Sequence, residues 1–143
     1  MLKILLAVDG SEHSVRAARK LVDSLGWYKE APRVELLTVH LPVPHFGGMG
    51  AVVTHEMIDN YYREEGENRL VGVKKVLDAA GVKYGAHIFV GPIAESIVEQ
   101  STKLGCDMIC MGTRGMGAMT NVFLGSVATR VLHLSTVPVV LIR

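Results

Sequence analysis

The sequence predicts a doubly wound α/β protein: one five-stranded parallel sheet with helices on both faces. Three observations carry this. Five apolar, β-rich runs alternate with helical patterns in the order βαβαβαβαβ. Several of those runs, such as KILLAV, are continuously apolar rather than alternating, which suits strands covered on both faces. The length, 143 residues, fits a single compact domain spanning 1–143.

The first strand reads Lys3 to Val8. Its apolar stretch is too short to span a membrane and ends in Asp9-Gly10, so it reads as a strand rather than a signal peptide. Ser11 can cap a helix from Glu12 to about Leu25, with Ala17, Ala18, Leu21 and Leu25 on one stripe and Gly26 at its end. The second strand is Val34 to Leu41. The segment Leu41 to Glu56 that follows holds two prolines and three glycines, so it is expected to be an exposed loop. It lies at the carboxyl edge of the sheet, where doubly wound folds place ligands.

A long helix is expected from about His55 to Ala80, with Met57, Ile58, Tyr61, Leu70, Val73, Val76 and Leu77 as apolar positions. Gly66 and Gly72 count against it, and Gly81 stops it. Tyr61 and Tyr62 read as packing residues of that helix. The third strand is Tyr84 to Val90. Pro92 opens a helix that faces Ile93, Ile97 and Val98 inward and ends at Gly105. The fourth strand is Asp107 to Gly112, the last helix about Ser126 to Leu134, and the fifth strand Val137 to Arg143. With no helix after it, the fifth strand reads as a sheet edge, and long apolar edges invite pairing with another chain.

The formal net charge is +1, so there is no electrostatic case for nucleic acid or a membrane surface, and a cytoplasmic location is the default. If Cys106 and Cys110 both lie on a strand, their sulfurs share one face roughly 13 Å apart, too far for one metal ion; they read as buried apolar residues. The six histidines are scattered without metal-ligand spacing: His13 and His133 on helix surfaces, His40 and His87 in strands, His45 and His55 beside the long loop.

The stretch GTRGMGAMTNVFLGSVATRV, Gly112 to Val131, carries the chemistry. It leaves a strand and enters a helix at Ser126, where unpaired amide N–H groups and the positive end of the helix dipole favour an anion. Gly125 lets a phosphate approach, Ser126 adds a hydroxyl and Val127 an amide. Gly112 and Gly115 are expected to let the loop turn sharply over the phosphates. The stretch has no P-loop lysine, and GTRGMG has the reverse of the G-x-G-x-x-G spacing, so neither standard motif applies. Met116 and Met119 could cover a ligand or face a partner.

The spacing that holds is Gly112-x2-Gly115-x9-Gly125-Ser126. With the opening strand ending AVDGS and the closing GSVATRVLHLSTVPVVLIR, it resembles the nucleotide-binding branch of the universal stress protein family over the whole chain. The resemblance implies a Rossmann-like sheet in the order 3-2-1-4-5 and bound ATP, or ADP or AMP, with Mg2+ held largely by the phosphates. It implies that Ala7, Val8 and Asp9 line the adenine and ribose side and that Val39 flanks adenine. Met111, Gly112, Arg114 and Gly115 would surround ribose and phosphates, and Gly125, Ser126 and Val127 would hold the phosphate tail. Ala128 stands where a hydroxyl residue can follow in the family, which removes one phosphate or metal contact; Arg114 could offset it. The resemblance also implies a homodimer through Val139 to Ile142 and a regulatory protein partner of unknown identity.

A hydrolase needs a positioned base or water-orienting residue. The sequence offers a cradle without a Walker lysine; Asp107 falls at the far edge of the sheet, and VDGSEHS lacks the S-G-G-x-D-S pattern of pyrophosphate-cleaving adenylating enzymes. The expectation is a nucleotide-binding stress-response regulator without efficient turnover. The alternatives are a slow ATP hydrolase or nucleotidyl-transfer enzyme, and an interaction module with a vestigial pocket.

Overall fold

A computed structural model of the chain describes residues 1–44, 53–115 and 123–143. The strands are β1 (Lys3–Ala7), β2 (Arg33–His40), β3 (Tyr84–Val90), β4 (Met108–Gly112) and β5 (Val139–Ile142), and the helices α1 (Glu12–Ser24), α2 (His55–Ala79), α3 (Ile93–Lys103) and α4 (Ser126–Leu134). A 3-10 turn, Leu25–Trp27, follows α1. All four strand pairings are parallel, and the sheet order is β3-β2-β1-β4-β5, the order expected.

The continuous apolar runs divide by parity. Ile4, Leu6, Val34, Leu36 and Cys110 face one side, where Ala18 and Leu21 of α1 and Leu70, Val73 and Leu77 of α2 cover them. Leu5, Ala7, Leu37, Val39, Ile109 and Met111 face the other, under Ala94 and Ile97 of α3 and Ala128 and Val131 of α4. Successive strand side chains point to opposite faces, so a strand covered on both reads as a largely continuous apolar run.

Three expectations need correction. Met57 and Tyr61 are more than half exposed, so the buried face of α2 begins only at Gly66. The reason is length. A helix of 25 residues is roughly 37 Å long, whereas the eight residues of β2 span roughly 26 Å, so the first turns of α2 overhang the sheet. Tyr62 does pack, its ring centroid 5.8 Å from that of His40. Second, Gly66 is not a weakness in the helix but a contact point: a Cβ there would lie 2.6 Å from Ile88 Cδ1 of β3. Third, the cysteines do not share a face. Cys106 precedes β4 and packs under α3 and α4, whereas Cys110 faces α1 and α2. Alternation along a strand says nothing about a residue outside it.

A buried carboxylate was not foreseen from the residue pattern. Glu35 of β2 is 4% exposed and receives Arg33 Nε at 2.7 Å and pairs with His87 Nε2 at 2.7 Å. Gly85 on β3 leaves room for it, since a Cβ there would collide with Glu35 Oε2. Burial raises the Glu35 carboxyl's affinity for a proton, but the hydrogen bonds from His87 and Arg33 outweigh it and hold the group below its ordinary range.

Candidate functional site

β1 and β4 end side by side, with Ala7 in register with both Leu37 of β2 and Met111 of β4. These side chains, with Val39, Ile93 and Ile97, form the apolar part of a cavity of about 340 Å³ at the carboxyl edge of the sheet. All eleven residues singled out in the sequence line it: Ala7, Val8, Asp9, Val39, Met111, Gly112, Arg114, Gly115, Gly125, Ser126 and Val127. The structure adds Ser14, Leu37, Arg69, Ile93, Ile97, Thr113 and Ala128. Met116 and Met119 lie outside the described residues, as do residues 45–52 of the loop expected after β2.

Asp9 is fixed by the turn into α1. Its Oδ1 accepts the Ser11 N–H at 2.9 Å and the Ser14 hydroxyl at 2.8 Å, and its own N–H donates to Ser14 Oγ at 3.0 Å. Ser11 caps the helix as expected, accepting Ser14 N–H. Ser14 was missed because one buried hydroxyl on an amphipathic helix reads as an ordinary polar residue. Between Asp9 and α1, Gly10 takes φ +87, which other residues rarely adopt.

Gly112 and Gly115 were expected to let the loop turn sharply, and they act differently. None of Gly112, Gly115 and Gly125 has a positive φ, so they do not turn the chain in a way other residues could not. They permit close approach instead. A Cβ on Gly115 would collide with Asp9 Oδ2, and one on Gly125 or Gly112 would come within 3.2 Å of the carbonyl oxygens of Thr113 and Arg114, respectively. Gly125 N–H donates to Thr113 O at 2.6 Å, which draws the start of α4 against the end of β4.

Gly125 is the N-cap of α4 and has no side chain with which to cap it; Ser126 is the first helical residue. The first turn of a helix leaves its N–H groups without intrahelical partners. Here the residues that carry them, Ser126, Val127 and Ala128, border the cavity. The cavity is thus an apolar slot from β2 to β4 that ends at an electropositive helix terminus. Among the described residues its wall holds one carboxylate, Asp9, and two guanidinium groups, Arg69 and Arg114.

The profile of the universal stress protein family matches residues 1–143. This chain belongs to that family. It is 33% identical over 141 residues to the universal stress protein MJ0531 of Methanocaldococcus jannaschii, covering 99% of this chain and 81% of the relative. A universal stress protein of Thermus aquaticus is 34% identical over 147 residues, covering 98% and 97%. The solved structure of MJ0577, from Methanocaldococcus jannaschii, superposes with a TM-score of 0.76 at 28% identity, covering 98% of this universal stress protein and 94% of the other. The fold is shared at lower identity by an Archaeoglobus fulgidus universal stress protein solved in complex with dAMP (21%, TM-score 0.60) and an Arabidopsis thaliana one with AMP bound (17%, TM-score 0.70).

Proposed function

We propose that this universal stress protein is a cytoplasmic regulator that binds an adenine nucleotide, ATP or its products ADP and AMP, without efficient turnover. The observation that carries the reading is the N-terminus of α4, whose N-cap Gly125 has no side chain to cap it, at one end of an apolar slot. A flat base suits the slot between Val39, Ala7 and Met111. A ribose suits the stretch beside Asp9, whose carboxylate is an acceptor for hydroxyl groups. Phosphates suit the far corner, where the amides of Ser126 and Val127 at the start of α4 supply donors. Nucleotide-bound relatives of the same fold support the choice of adenine.

When bound, the nucleotide would bring its own phosphates to hold Mg2+. The chain's contribution is to bind and orient. Main-chain amides offset the phosphate charge, Arg114 adds a cation at the same corner, and buried apolar side chains keep water from the base. Ala128 presents a methyl group to the cavity, where a hydroxyl could have added a contact.

Calorimetric titration with ATP tests the reading, together with mass spectrometry of any small molecule released on denaturation. Binding is expected, weakened in Ser126→Ala and abolished in Gly115→Val; no binding up to millimolar ATP refutes it. Phosphate release above that of the Gly115→Val variant would move the assignment to a slow hydrolase. Homodimerisation through β5 is part of the proposal. β5 pairs only with β4 among the described residues, and Val140 on it is 39% exposed. Light scattering at micromolar concentration should give twice the chain mass of 15.5 kDa, and a monomer would contradict it.

A further inference from the structure

Arg69 lies on α2, far in sequence from every other charged residue of the cavity, yet it enters the cavity wall. Its route is defined. The stem crosses above Gly10, where even a Cβ would come within 3.0 Å of Arg69 Cγ. Its Nη1 donates to the main-chain carbonyl of Val39 at 3.3 Å, a long bond. Its Nε is buried with no hydrogen-bond partner among the described residues.

The Val39 carbonyl is available for a physical reason. Leu37 O accepts the Val8 N–H at 2.9 Å, the last rung between β1 and β2. Two residues further along a strand the carbonyl points the same way. β1 has ended by then, so Val39 O looks past its tip into the cavity. Arg69 meets it there. The result is a donor, the guanidinium, beside an acceptor, the carbonyl, at the β2 end of the apolar slot. The phosphate corner is at the other end, beyond β4, about two strand spacings or roughly 10 Å away across the sheet.

A cation at that end is poorly placed for phosphate, a role that Arg114 and the α4 amides are positioned to fill. A neighbouring donor and acceptor at the end of an apolar slot match the edge of an aminopurine, where an exocyclic N–H lies beside a ring nitrogen lone pair. We infer that Arg69 is a specificity-determining residue that donates a hydrogen bond to a ring nitrogen of the adenine base while Val39 O accepts from its amino group. The inference rests on the proposed nucleotide function and deepens it. The length of the Nη1 bond leaves the guanidinium with hydrogen-bonding capacity to offer a ligand.

The test is calorimetric binding of ATP, 1-deaza-ATP and 7-deaza-ATP, in which one ring nitrogen is replaced by C–H, to the wild-type chain and to Arg69→Met and Arg69→Lys. Wild type should bind one of the two analogues at least about tenfold more weakly than ATP, since hydrogen bonds to charged groups are strong. Arg69→Met should bind that analogue and ATP alike. Arg69→Lys, which keeps a charge without the planar fork, should retain part of the difference. If wild type binds all three nucleotides equally, the inference fails while nucleotide binding stands. It fails as well if Arg69→Met keeps the wild-type ratios. If wild type binds no nucleotide, the functional proposal itself fails. The wild-type series needs no variant, so a poorly folded Arg69→Met would not shelter the inference.

Discussion

Gly115→Ala isolates one contact of the motif. The added methyl would occupy the space of Asp9 Oδ2, so the carboxylate must swing away. Doing so strains the two bonds on Oδ1, from Ser11 N–H at 2.9 Å and Ser14 Oγ at 2.8 Å. Hydrogen bonds to a charged group contribute about 1.5–3 kcal/mol each. Asp9 is half-buried and can keep part of one bond by rotating, so the cost should be about 2 kcal/mol. For a chain of this length that lowers the melting temperature by roughly 6 °C. The assay is thermal unfolding by circular dichroism on a double-mutant cycle of Gly115→Ala and Asp9→Ala. With Asp9 truncated the methyl has nothing to displace, so its cost should fall below about 0.5 kcal/mol. An equal cost in both backgrounds would refute the reasoning and place the strain in the backbone.

Two helical glycines should respond oppositely. Alanine is worth about 1 kcal/mol more than glycine inside a helix. At Gly66 the methyl meets three atoms of Ile88 within 2.8 Å, and overpacking of about 1–3 kcal/mol outweighs the gain. At Gly72 it meets only Val15 Cγ2 at 3.1 Å, a side-chain end that can yield. Urea unfolding should show Gly66→Ala destabilised and Gly72→Ala neutral to stabilised; the same sign for both would contradict the contacts. Glu35→Gln tests the buried carboxylate. The folded carboxyl is held below its ordinary value of 4.5, so the unfolded chain takes up the proton first. The stability it contributes is complete above that value and is lost as pH falls through the depressed folded one. The wild-type advantage, about 1–3 kcal/mol at pH 7, should shrink steadily below pH 4.5. A gap that stays constant down to pH 3 would rule out the carboxylate as its source. The cysteines should be inert in the native state, since burial pushes the thiols of Cys106 and Cys110 up to about 11 and about 12. A thiol reagent at pH 8 should label neither until guanidinium unfolds the chain; rapid native labelling of either would show that its burial is transient.

The sheet was legible in the sequence because its determinants are local. Runs such as KILLAV declare strands buried on both faces, Ser11 and Gly81 mark helix ends, and the family resemblance implied the order of the strands. The motif side of the cavity was legible for a similar reason. Gly112, Gly115, Gly125 and Ser126 are close in sequence, and a strand-to-helix loop at the carboxyl edge can deliver them to only one place. Tertiary structure decided what depends on distance between elements. How far α2 outlasts the sheet left Met57 and Tyr61 exposed. The approach of α2 to β3 made Gly66 a necessity, and the passage of α2 above Gly10 brought Arg69 to the Val39 carbonyl. Periodicity along a helix shows which residues share a face. Where along its length that face meets a partner is set by packing, and packing is a property of the whole chain.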